Sequence, residues 1–131
     1  MNTLRLEKMG CDFGKYSNEA KQSDLGNHRL YGLVDLNLVT DEAFKAKNPV
    51  KCGVTVGTWY YDSKTVIGDW RNQTKTLIEV EYNTEDGNAH RAREYCIHSQ
   101  ESTQKSVLET VNALFGTNYD SLEIVERGAA A

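Results

Sequence analysis

The clearest alternation of apolar and polar positions runs from Lys75 to Ser99. Ile78, Val80 and Tyr82 alternate with Glu79 and Glu81, which predicts a β-strand with one buried face. Asp86-Gly87 supplies the positive backbone angle of a tight turn, and Ala89 to His98 returns as the second strand of a hairpin. The charges choose its register. A strict two-residue turn sets Glu79 opposite Glu94, whereas one more loop residue sets Glu81 opposite Arg91 and Glu79 opposite Arg93. Opposed ion pairs stabilise by roughly 0.2–1 kcal/mol each and opposed like charges cost. The pattern therefore predicts the longer loop, with Gly87 in a bulge-type turn. In that register Ile78, Val80, Tyr82, Ala92 and Cys96 share one face, and Leu77, Tyr95 and Ile97 share the other.

The rest of the chain is read the same way. Leu4 and Leu6 mark a first strand over residues 2–9. Residues 10–27 carry three glycines and few aliphatic side chains, which predicts a long loop. Residues 28–39 alternate as a second strand, with Leu30, Val34, Leu36 and Leu38 facing one way and Tyr31, Leu33, Asp35 and Asn37 the other. Thr40 is the expected cap of a short helix, DEAFKAK, ended by Asn48-Pro49. Residues 50–61 form the clearest single strand: Val50, Cys52, Val54, Val56 and Tyr60 alternate with Lys51, Gly53, Thr55, Gly57, Trp59 and Tyr61. Residues 65–70 suggest a short strand. Val107, Leu108, Val111, Leu114 and Phe115 form one helical stripe over about residues 103–115, capped by Ser102 or Thr103 and closed by Gly116. Residues 121–126 read as a last strand.

This element order predicts an α+β fold, an antiparallel sheet of about five to seven strands with one long C-terminal helix packed on one face. Residues 1–127 form one expected domain, and residues 128–131 a tail or cloning scar. Composition narrows the function classes without naming one. The formal net charge is −4 with no block of like charges, so a nucleic-acid footprint is not expected. The lack of a long apolar run or a signal-peptide core predicts a cytoplasmic protein without a membrane partner. Cys11, Cys52 and Cys96 form no CxxC pair and are expected as free thiols.

The side chains opposite the aliphatic face form the main candidate surface: Tyr31, Leu33, Trp59, Tyr61, Leu77, Tyr95 and Ile97. A helix of 13 residues is only about 20 Å long and covers one face of such a sheet, not two. Together these side chains exceed the few hundred Å² of apolar patch that soluble monomers usually expose. They predict a protein partner, most simply a second copy in a homodimer, with Gly53 and Gly57 allowing close approach beside Trp59 and Tyr61. Arg29, Arg71, Arg91 and Arg93, interleaved with aromatics, are a candidate site for a small, nucleotide-like anion, against the plainer reading of paired surface arginines.

Three further constellations have ordinary explanations. Asp69, Glu79 and Glu81 resemble a metal-nuclease spacing, but the final lysine is missing and the glutamates have arginine partners. His90, Glu94, Cys96 and His98 alternate along one strand, too spread out for a shared zinc site except at Cys96 and His98. Gly10-Cys11-Asp12-Phe13-Gly14 is a turn-like segment whose thiol has only His28 as a nearby base. No catalytic residue, metal or cofactor is assigned. The expected function is a small non-catalytic binding protein of the inhibitor, immunity or accessory type. A ligand-binding protein with its site at an oligomer interface is the first alternative, and a metal-dependent nuclease the second.

Overall fold

A computed structural model of the chain describes residues 1–12, 28–61, 73–91, 95–98 and 103–127. The expected loop over residues 13–27, the strand at 65–70, Asp69, Arg71, Ala92, Arg93, Glu94 and the tail at 128–131 lie outside these residues. The described chain is a mixed α+β fold. Its strands are β1 (Thr3–Asp12), β2 (His28–Leu33), β3 (Pro49–Tyr61), β4 (Gln73–Thr84), β5 (Ala89–Arg91), β6 (Tyr95–His98) and β7 (Ser121–Val125). Two α-helices are described, α1 (Glu42–Lys45) and α2 (Gln104–Phe115), together with a 3₁₀ turn at Leu36–Leu38.

The sheet runs in the order β5-β4-β3-β2-β1-β7. β6 also pairs with β4. Because β3 pairs along the whole of β4, β5 and β6 share the other edge of β4 and continue one line. The sheet is not purely antiparallel: β7 lies parallel to β1, with Leu4 opposite Leu122 and Leu6 opposite Ile124. The cause is a count of passes. Strands reverse direction at each step from β1 to β5, β6 continues the direction of β5, and the α2 crossover brings the chain back to run alongside β1. The helix itself has 12 residues, about 18 Å, rather than being long.

The hairpin turn follows its predicted geometry. Gly87 has φ of +87°, its N–H donates to the Thr84 carbonyl at 2.9 Å, and the Thr84 N–H donates to the Asn88 carbonyl at 3.1 Å. Glu81 stands opposite Arg91, as the charges required. Asp86 locks the turn. Its carboxylate accepts from the Thr84 hydroxyl at 2.5 Å, the Asn88 N–H at 3.0 Å and Asn88 Nδ2 at 3.0 Å. These bonds, the Thr84 hydroxyl foremost, hold the Asp86 carboxyl below its usual range. The stabilisation is therefore present above the unfolded carboxyl value, near ~3.9, and is lost as pH falls through the lower folded value. An NMR titration of the Asp86 carboxyl carbon should give a midpoint below that of an unstructured aspartate, and Thr84→Val should raise it. A midpoint unchanged in the variant would remove the hydroxyl as the cause.

Four expectations change. β1 extends through Asp12, which pairs with His28, so Cys11 and Asp12 belong to a strand rather than a loop. β2 stops at Leu33: the Asp35 carboxylate accepts from the Asn37 N–H at 2.9 Å and bends Leu36–Leu38 into a 3₁₀ turn. Asp41, not Thr40, caps α1, accepting from the Phe44 N–H at 2.9 Å. Val50 is 52% exposed because the β3–β4 register shifts between Pro49 and Lys51, leaving Val50 without a cross-strand partner.

The core lies between the sheet and α2. Leu4, Leu6, Leu30, Cys52, Val54, Val56, Ile78 and Val80 from the strands are buried with Val107, Val111 and Phe115 from the helix. Leu108 and Leu114 flank this set, half-buried. Thr103 caps α2 by accepting from the Ser106 N–H, and Gly116, with φ of +64°, ends it. The loop before α1 closes that end: the Thr40 and Asp41 N–H groups both donate to the Phe115 carbonyl at 3.0 Å, and the Thr40 hydroxyl donates to the Gly116 carbonyl at 2.6 Å. Asn112 of α2 ties down the loop that follows the helix. Its amide accepts from the Tyr119 N–H and the Thr117 hydroxyl and donates to the Tyr119 carbonyl, while the Tyr119 hydroxyl accepts from the Asp35 N–H at 2.8 Å. Burial is the leading cause of a raised Tyr119 phenol pKa, so the hydroxyl stays neutral.

Candidate functional site

Cross-strand partners share a face of the sheet, so the register places side chains on the face away from α2 row by row. One row is Val125, Glu7, Tyr31, Thr55 and Glu79, from β7 across to β4. Beside it, Leu33, Gly53, Glu81 and Arg91 stand opposite one another across β2, β3, β4 and β5. Arg5 stands opposite Glu123 on β1 and β7. Among the described residues no helix packs on this face.

The surface is mixed in character. Arg5 and Glu123 pair at 3.5 Å, and Arg91 lies between Glu79 at 3.8 Å and Glu81 at 3.9 Å. All three are long contacts between side chains open to solvent and are worth ~0–1 kcal/mol. Within this charged frame Leu33 is 54% exposed, and Tyr31 and Leu77 are half-buried.

Of the seven side chains expected to form one patch, Tyr31, Leu33 and Leu77 are on this face. Trp59 and Tyr61 occupy β3 opposite Lys75 and Gln73; their side chains lie outside the described residues. Tyr95 and Ile97 are not in register with Leu77. Tyr95 pairs with Ile78 and Ile97 with Thr76, both core positions, and Cys96 pairs with Leu77. The physical reason is a one-residue shift. From Glu81 to Ile78 the chain takes three steps, whereas from Arg91 to Tyr95 it takes four. An odd shift exchanges the parity of everything that follows.

The same shift separates His90 from Cys96 and His98 of its predicted set, Glu94 lying outside the described residues. His90 pairs with Tyr82 at a core-facing position, while Cys96 and His98 pair with Leu77 and Lys75. His90 stacks on the Tyr82 ring with centroids 4.9 Å apart, and Tyr82 meets Phe44 edge-on at 5.4 Å. Thr84 donates its hydroxyl proton to Asp86, so its oxygen accepts from His90 Nε2 at 3.2 Å. These contacts give His90 a place in the hairpin. Among the described residues, no group of three or more His, Cys, Asp or Glu is arranged to hold a metal ion.

The two described members of the arginine set do not converge. Arg29 on β2 and Arg91 on β5 are three strand spacings apart, roughly 14 Å. They are also four residues apart along the strands, about 13 Å. Arg91 is moreover faced by two carboxylates.

Close approach at Gly53 is made by the chain itself. A Cβ placed there would meet the Tyr31 hydroxyl oxygen at 2.5 Å and ring carbon Cε2 at 2.8 Å, so the Tyr31 ring fills the space proposed for a partner. Replacing Gly53 by Ala should push that ring outward, because the obstacle is the end of a side chain. The expected cost is about 1 kcal/mol, at the lower end of the overpacking range, with Tyr31 fluorescence or ring chemical shifts moving toward solvent values. Unchanged ring signals would contradict this placement.

Cys52 is 1% exposed and free, and burial pushes its thiol up to about 12. The raised value makes the thiol's contribution to stability complete below the unfolded pKa, near ~8.5, and lost as pH rises toward the folded one. It is a packing residue, not a nucleophile. Peptide mapping after iodoacetamide treatment at pH 8 should find Cys52 unmodified in native protein and modified after urea unfolding. Native labelling at the rate of a free thiol would refute this.

Comparisons with protein-family models, with curated proteins and with solved structures found no match.

Proposed function

We propose that this chain is a non-catalytic binding protein that works through the sheet face opposite α2, pairing there with a second copy of itself. The observation that supports it most is Leu33, 54% exposed beside half-buried Tyr31 and Leu77 on a face that no described helix covers. Among the described residues the 12-residue α2, joined by Phe44 of α1, serves the opposite face, where their buried side chains are already engaged with the core. No buried side-chain polar atom among the described residues lacks a hydrogen-bond partner, and the polar clusters in the hairpin turn and around Asn112 serve the fold. Symmetric pairing is the simplest way to cover the apolar side chains of this mixed face. A reducing, cytoplasmic setting goes with this reading and with the free thiol of Cys52. No helix among the described residues is long and apolar enough to cross a membrane.

Light scattering after size exclusion, at two salt concentrations, tests the pairing. Association should persist or strengthen as salt rises, because screening weakens the repulsion between chains of net charge −4 while apolar burial remains. Leu33→Asp should weaken association at least tenfold with little change in the unfolding midpoint, since the side chain is already largely in water. A strict monomer at high micromolar concentration, or a Leu33→Asp chain that associates as before, would remove the proposal.

A further inference from the structure

We draw no further inference here: the strongest candidate, the charged and apolar sheet face around Arg5, Leu33, Glu81 and Arg91, belongs to the surface already described, and nothing in the structure shows what covers it beyond that reading.

Discussion

Phe115→Ala is expected to destabilise the fold by about 3–5 kcal/mol, a large part of the ~5–15 kcal/mol that holds a typical domain together. Phe115 is the last buried residue of the α2 stripe and is 3% exposed. Its ring meets Phe44 edge-on at 5.1 Å, and Phe44 in turn meets Tyr82 on β4. Truncation therefore leaves a cavity where the end of α2, the turn of α1 and the central sheet converge. The same residue's carbonyl accepts from both Thr40 and Asp41, so the backbone there is tied to the loop before α1 and has little freedom to collapse into the space. Thr110 gives the contrast. It is half-buried, and its hydroxyl donates within the helix, to the Ser106 carbonyl. Thr110→Ala should change stability by less than about 0.5 kcal/mol. Urea unfolding followed by circular dichroism compares the two; equal midpoint shifts would mean that α2 does not present Phe115 to the core.

Gly32→Val should be nearly as damaging, for the opposite reason. A Cβ at Gly32 would run into the Arg5 carbonyl oxygen and come within 2.7 Å of Leu6 Cδ2. The first obstacle is backbone. β1 is held by β2 on one side and β7 on the other, so that carbonyl cannot swing away without breaking a ladder. Inserting methyl groups into packed interiors costs about 1–3 kcal/mol, and more where the neighbour is fixed. At Gly53 the three nearest obstacles all belong to the movable Tyr31 side chain, so Gly32→Ala should already be the more harmful of the two alanine substitutions. Thermal unfolding of both variants orders them. Equal melting temperatures would show that β1 yields at Arg5 as readily as a tyrosine ring does.

The sequence was most legible where side chains constrain one another locally. The alternation around Val80, the opposed charges of Glu81 and Arg91, and the Asp86-Gly87 pair were enough to register the hairpin turn and to find the loop length. The α2 stripe was equally plain, although Leu108 sits on its flank and Val111 at its centre. Features governed by distant packing were not legible. Leu36 and Leu38 alternate with polar residues as a strand would, and only the Asp35 carboxylate reaching the Asn37 N–H turns them. The direction of β7 depends on how many passes precede it, which its own residues do not encode. Tyr95 and Ile97 illustrate the hardest case: Tyr-Cys-Ile-His is too short, and too free of formal charge, to fix its own parity, so a one-residue shift leaves no mark in the pattern. The shift sets Tyr95 and Ile97 opposite Ile78 and Thr76 instead of beside Leu77, while Tyr31, Leu33 and Leu77 lie on the face where alternation placed them.

Hydroxyl-radical footprinting at low and at high micromolar concentration, read residue by residue, tests the proposed pairing most directly. In dilute solution Leu33 should be oxidised readily and Leu77 to a lesser degree, while Ile78 and Leu30, buried under α2, should be protected. On concentration Leu33 and Leu77 should become protected together, with Ile78 and Leu30 unchanged. Leu33 oxidised equally at both concentrations would contradict pairing through this face.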